Sequence, residues 1–240
     1  MNDRRSLEGK TILIFGGGRG LGRAVAICSA QAGADVAVVS RTESEISEVV
    51  AEITKSGRRG LALVGDAREP VRVEGVVGET IREFGKIDVL VNCQGESLIR
   101  PVADTTMEDF DRMVDANLRS VYVTCKAVIV EMTKQGSGHI INISSRVGIH
   151  GAPSVTAYTA AKAGVIGLSK ALALELKGSN IKVNVVCPAP MDTPMRWEAT
   201  PEFDRTKVIS PESVAELVVL LASMPDSSME GVVVPTSINL

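Results

Sequence analysis

A short apolar run, Thr11-Ile12-Leu13-Ile14-Phe15, leads without a break into Gly16-Gly17-Gly18-Arg19-Gly20-Leu21-Gly22. Arg23 to Ala32 follows with a helical pattern, and Gly33 closes it as a C-cap. No other feature constrains the fold as strongly. The first run is short and partly β-branched, so it reads as a buried strand. Strand, glycine loop and helix in succession bring backbone N–H groups and a helix N-terminus to one point, an arrangement that holds a phosphate. The spacing is G-x-x-x-G-x-G, not G-x-G-x-x-G. A tight turn would account for a glycine cluster alone, whereas this context favours a dinucleotide site.

Strand and helix patterns then alternate to the end of the chain. Strands are predicted at 35–40, 61–64, 89–92, 140–143, 182–187 and 232–234. Helices are predicted from Thr42, with Glu45 placed for a capping box, over 70–84, and from Thr106-x-x-Asp109 through Asn117 toward Lys134. Two more span 155–177 and run from Ser210-Pro211, an N-cap followed by proline, to about Ala222. This alternation implies a parallel sheet with helices on both faces and a ligand at the carboxyl ends of the strands. With 240 residues, 45% of them hydrophobic, and no repeat or linker, the chain reads as a single α/β domain over 1–240.

Composition narrows the function. A net charge of −3 gives no reason to expect nucleic acid or an anionic membrane as partner. No apolar stretch is long enough to span a bilayer, and the N-terminus lacks the apolar core of a signal peptide. Cys28, Cys93, Cys125 and Cys187 are scattered in apolar segments and read as reduced core thiols. The two histidines, His139 and His150, form no metal cluster, so no metal site is expected and a cytoplasmic protein is the default.

The chemistry concentrates between Ser145 and Lys162. Tyr158 and Lys162 are four residues apart, and helix residues at that spacing share a face. An ammonium near the phenol would favour its ionised form and bring its pKa, ordinarily near ~10, down toward neutrality. Ser145 ends the apolar run His139–Ile143, where its hydroxyl would sit beside the phenol and hold a carbonyl or alcohol. A Tyr-x-x-x-Lys pair on its own is common on any helix; the rest of the chain gives it weight.

Taken together, Gly16-x-x-x-Gly20-x-Gly22, Asn92 to Gly95, Asn117, Ser145, Tyr158-x-x-x-Lys162 and Pro188 to Thr193 resemble the short-chain dehydrogenase/reductase family in order and approximate spacing, from Lys10 to about Val234. The resemblance implies a Rossmann-type doubly wound sheet of about seven strands. It assigns Asn117, Ser145, Tyr158 and Lys162 to catalysis. It places the cofactor on Gly16, Gly18, Arg19, Gly20, Leu21, Gly22, Ser40, Arg41, Asp66, Ala67, Asn92, Gly95, Tyr158, Lys162, Pro188, Met191 and Thr193. An acidic residue at the end of the second strand would hydrogen-bond a ribose 2′-OH. Ser40 stands there, followed by Arg41, with Arg19 in the loop nearby and nothing acidic before Glu43. Two guanidiniums suit a 2′-phosphate, so NADP(H) is the expected cofactor.

In the reaction so implied, hydride goes to a carbonyl carbon, Tyr158 protonates the oxygen and Ser145 stabilises it. Lys162 lowers the phenol pKa and holds the nicotinamide ribose, and Asn117 interrupts a helix and supports a water chain to Lys162. The resemblance is nearest in general pattern to 3-oxoacyl thioester reductases, working as a homo-dimer or homo-tetramer. Ketone, sugar and steroid dehydrogenases share the motifs, and a non-catalytic NADP-binding regulatory protein is the alternative outside enzymology. Phe15 stands where the family usually has Thr, Asn92-Cys93-Gln94-Gly95 replaces N-N-A-G, and Ala189 replaces a usual Gly. Phe15 and Gln94 imply a narrower adenosine side, and Ala189 a strain cost if the backbone there needs a positive φ. The tail from Pro235 lacks the usual V-D-G-G. Met195 to Ser210, with Trp197 and Phe203, occupies the place of the substrate-covering loop, and Glu96, Arg146 and His150 fall near the expected mouth.

Overall fold

The structure, a computed structural model, describes residues 6–224, 231 and 233–236; Val232 of the last predicted strand and tail residues 237–240 lie outside them. Among the described residues seven strands form one sheet: β1 (Thr11–Phe15), β2 (Asp35–Ser40), β3 (Gly60–Val64), β4 (Val89–Asn92), β5 (Gly138–Ile143), β6 (Ile181–Cys187) and β7 (Val233–Pro235). Their order is β3-β2-β1-β4-β5-β6-β7, and every neighbouring pair is parallel.

The two-residue period of a strand decides which side chains meet which helices. Ile12, Ile14, Val36, Val38, Val89, Val91 and Ile141 point to one face, against α1 (Gly20–Gln31), α2 (Glu43–Lys55) and α9 (Pro211–Ser223). Leu13, Phe15, Ala37, Val39, Leu90, Ile140 and Val183 point to the other, against α3 (Pro70–Phe84), α5 (Ser120–Gln135) and α7 (Thr156–Glu175). Both faces are dry, as the continuous apolar reading of these strands requires. The order in which successive strands are added reverses between β1 and β4, while the strands stay parallel, so a crevice opens beyond their carboxyl ends.

Three local expectations need revision. Thr42 does cap α2, but its side chain makes no cap hydrogen bond, and no capping box forms with Glu45. Instead, Ser40 Oγ accepts from the Thr42 N–H at 3.2 Å and donates to the Thr42 carbonyl at 3.1 Å. Glu45 turns toward the glycine loop, where a Cβ on Gly18 would lie 2.8 Å from its Oε2. The continuous helix that the pattern predicts through Asn117 is broken in two, α4 (Met107–Val114) and α5, by a π-helical turn over Asp115–Arg119, the interruption that the resemblance implies at Asn117. A short helix, α6 (Val147–His150), precedes α7, and another, α8 (Pro194–Ala199), follows β6; neither was expected. The helix starts expected at Thr106-x-x-Asp109 and at Ser210 are formed, the first closed by a capping box between Thr106 and Asp109. No helix of the described residues is long and apolar enough to cross a membrane.

Candidate active site

A cleft of about 410 Å³ runs over the carboxyl ends of the strands, from the glycine loop to Tyr158 and Lys162. The glycine loop forms one wall because no side chain fits in it. A Cβ on Gly22 would come 2.0 Å from the Gly16 carbonyl oxygen. Gly16 itself has φ +73°, and a Cβ there would lie 2.6 Å from the Gln94 backbone nitrogen. Gly16, Gly18, Arg19, Gly20, Leu21 and Gly22 all line the cleft, as do Ser40, Arg41, Asp66, Ala67, Gly95, Met191 and Thr193.

Asn92 and Pro188 do not. Asn92 is fully buried; its Nδ2 donates to Asn142 Oδ1 at 2.8 Å, and its Oδ1 accepts from Thr124 Oγ1 at 2.8 Å. Asn142 continues the network to Ser169 on α7 at 2.8 Å. The last side chain of β4 points inward by the strand alternation, so Asn92 ties sheet to helices. Pro188 is buried, and its carbonyl accepts from the Arg146 N–H. Ala189 has no positive φ, so replacing glycine there costs no strain; its N–H is taken by Thr236 Oγ1 at 2.9 Å.

At the other end, α7 brings Tyr158 and Lys162 to one face, with Lys162 Nζ 5.8 Å from the phenol ring centroid. Lys162 is buried, and its Nζ donates to the Ile143 carbonyl at 3.1 Å. Burial pushes its ammonium down to about 8. Desolvation pushes the Tyr158 phenol above its ordinary value, opposed by hydrogen bonding from Ser145 and by the Arg196 charge. This corrects the expected depression of the phenol by Lys162. The lysine is itself short of solvation, and it spends a hydrogen bond on the β5 carbonyl.

Asn117 sits in the π-helical turn, fully buried. Its Oδ1 accepts from the Glu96 N–H at 3.2 Å, and its Nδ2 donates to the Glu96 and Met113 carbonyls, both at 3.0 Å. Gly95 is required beside it, since a Cβ there would lie 2.5 Å from Asn117 Oδ1 and 3.3 Å from Lys162 Nζ.

The cations meant for a phosphate have partners. Arg19 Nη1 meets Glu198 Oε1 at 2.7 Å, and Arg41 lies 3.7 Å from Glu96, which also pairs with Arg112 at 3.2 Å. Asp66 is held well below the usual carboxylate range, chiefly by hydrogen bonds from Arg68. Glu96 and Glu45 line the cleft; Arg146 and His150 do not. Glu198 carried no sequence signal of its own, because its partner Arg19 lies 179 residues away in the chain.

A nicotinamide dinucleotide fits these residues. The glycine loop leaves bare backbone where a diphosphate would rest. Gln94, on the cleft wall, keeps a buried Oε1 with no donor, an acceptor free for a ligand hydroxyl or amine. The four cysteines are free thiols, and no cluster of metal-ligating side chains occurs among the described residues.

Fold and cleft together define a nicotinamide-dependent oxidoreductase on a doubly wound sheet. The sequence matches the short chain dehydrogenase family over residues 10–204, and the chain belongs to that family. It is 36% identical to the 3-oxoacyl-[acyl-carrier-protein] reductase of Thermotoga maritima, over 95% of this chain and 96% of that one. It is 34% identical to the (2S)-[(R)-hydroxy(phenyl)methyl]succinyl-CoA dehydrogenase subunit of Thauera aromatica, covering 88% and 84%. In structure it resembles a short chain dehydrogenase from Mycobacterium paratuberculosis bound to NAD, with TM-score 0.89, 31% identity, and coverage of 96% and 97%.

Proposed function

We propose that this chain, acting as one domain over 1–240, is an NADPH-dependent reductase of ketone carbonyls, with 3-oxoacyl thioesters as the leading substrate class. One observation carries the reading: a single cleft joins Arg19 and Arg41 at the glycine loop to the Tyr158–Lys162 pair, with Ser145 facing the phenol. The similarity to the Thermotoga reductase supports the thioester class.

A nicotinamide cofactor held in this cleft would supply the hydride. Tyr158 gives its proton to the carbonyl oxygen as negative charge grows there. The raised phenol pKa keeps that proton on the ring before reaction, and Arg196 and Ser145 stabilise the phenolate left afterwards. Ser145 also holds the same oxygen. Lys162 spends one N–H on the Ile143 carbonyl, and its other donors would hold a ribose hydroxyl of the cofactor. Asn117 fixes the backbone of Glu96, and with it the Gly95 turn on which Lys162 rests.

A second reading, an NAD-dependent alcohol dehydrogenase, is favoured by the carboxylates at the glycine loop: Glu198 on Arg19, Glu96 near Arg41, and Glu45 beside Gly18. Comparing kcat/KM for NADPH and NADH with an acetoacetyl thioester decides between them. A clear NADH preference would overturn the NADPH assignment. Exposed apolar side chains on α4 and α5 (Phe110, Tyr122 and Val130) support a homo-dimer or homo-tetramer. Four free thiols suit a reducing, cytoplasmic setting.

A further inference from the structure

Helix α8 leaves the cleft directly: Thr193, Pro194 and Met195 line it, and Arg196 comes next. The Arg196 side chain is partly buried. Its guanidinium lies 4.8 Å over the Phe203 ring, and Nη1 donates to Thr200 Oγ1 at 3.1 Å. Stacking on an aromatic ring fixes the plane of the fork and leaves its donor edge open. Of five N–H donors, one is engaged by a partner among the described residues.

The neighbouring cations are disposed differently. Arg19 is paired with Glu198 at 2.7 Å, and Lys207 lies 3.8 Å from Asp204. Arg205 stacks 4.1 Å over Trp197 but is exposed and solvated. Arg196 has no carboxylate partner among the described residues, and the one titratable group acting on it there is the Tyr158 phenol. Its partial burial carries a cost that no carboxylate among the described residues offsets. Arg196 stands one residue beyond the cleft-lining stretch 193–195, and a guanidinium with an open donor edge at that margin is matched by an anion that arrives with the ligand; one fork matches one carboxylate.

We propose that Arg196 anchors a carboxylate of the substrate, so that the enzyme acts on ketones carrying a free carboxylate near the reacting carbonyl. This inference rests on the reductase reading and narrows it. A thioester substrate would need that carboxylate elsewhere on its acyl chain.

The test uses two pairs of probes that differ only in charge: acetoacetate against methyl acetoacetate, and 4-oxopentanoate against its methyl ester. Binding is read from fluorescence of Trp197, the chain's one tryptophan and the next residue to Arg196, without any turnover. NADPH consumption is read in parallel. In at least one pair the acid should be preferred over its ester in Kd and in kcat/KM. Arg196→Gln should cut that ratio by roughly tenfold to a hundredfold, the scale of one charge-assisted hydrogen bond. Arg196→Lys should keep part of it.

Equal binding of acid and ester by the wild-type enzyme in both pairs would overturn the proposal. So would a ratio that Arg196→Gln leaves unchanged while the pH profile of turnover shifts, since Arg196 would then serve only the phenol. Charge-selective binding without any NADPH consumption would uphold the anion site and overturn the reductase reading instead.

Discussion

The Asn117 side chain closes both backbone groups of Glu96, accepting from its N–H at 3.2 Å and donating to its carbonyl at 3.0 Å. The π-helical turn over Asp115–Arg119 makes this possible by presenting a buried amide to the strand-end loop. Through Glu96 the clamp reaches Arg41 and Arg112, and through Gly95 it borders Lys162.

Asn117→Ala should therefore act on positioning. It leaves the Glu96 N–H and carbonyl without their partner, at a cost of about 1–3 kcal/mol for each buried group that water does not reach. We expect lower thermal stability together with a fall in kcat larger than any rise in KM for the ketone. Steady-state kinetics beside a melting curve checks this; a variant with wild-type kcat and lowered Tm would make Asn117 purely structural.

The pairing of Arg19 with Glu198 gives a second expectation. Glu198→Gln frees the guanidinium for a 2′-phosphate and should tighten NADPH binding several-fold, while Arg19→Ala should weaken it roughly tenfold or more. NADH binding should respond little to either change. Fluorescence titration of both cofactors reads this directly, and equal responses for NADPH and NADH would place the 2′-phosphate elsewhere.

Gly22→Ala tests the glycine loop. The added Cβ would sit 2.0 Å from the Gly16 carbonyl oxygen, so the loop must open. We expect NADPH affinity to drop roughly tenfold or more, with the rest of the sheet intact by circular dichroism. An unchanged Kd would mean that the diphosphate rests on other residues.

His139 makes stability depend on pH. Burial pushes it down to about 4, against an ordinary 6.5. The unfolded chain takes up the proton first, so stability is full above about pH 6.5 and declines as pH falls toward 4. The span amounts to at most ~3 kcal/mol. Melting temperatures from pH 7 to 5 should fall for the wild type and fall less for His139→Asn. Parallel curves would remove His139 as the cause.

Much of the fold was legible because strand alternation and glycine placement are local. Thr11–Phe15, the loop to Gly22 and the Ser210-Pro211 helix start each carry their signal within a few residues. The order of Ser145, Tyr158 and Lys162 was legible for the same reason. Electrostatic partners were not. Arg19 and Glu198 are 179 residues apart, and no spacing rule connects them. That the Asn92 side chain lies in a buried network and not in the cleft was not legible, because the side of the sheet on which its amide lies depends on Asn142, Thr124 and Ser169, which come together only by folding. The phenol pKa was misjudged because adjacency to Lys162 says nothing of how deeply both groups are buried.

The central claim is that Tyr158 is the proton donor of a carbonyl reduction. The most direct measurement is NADPH consumption with a ketone panel that includes an acetoacetyl thioester, for wild type and Tyr158→Phe, with NADPH binding titrated on the same samples. The account expects consumption by the wild type, a loss of at least about a hundredfold in kcat for the variant, and nearly equal NADPH binding by both. A Tyr158→Phe enzyme that turns over at the wild-type rate would contradict it.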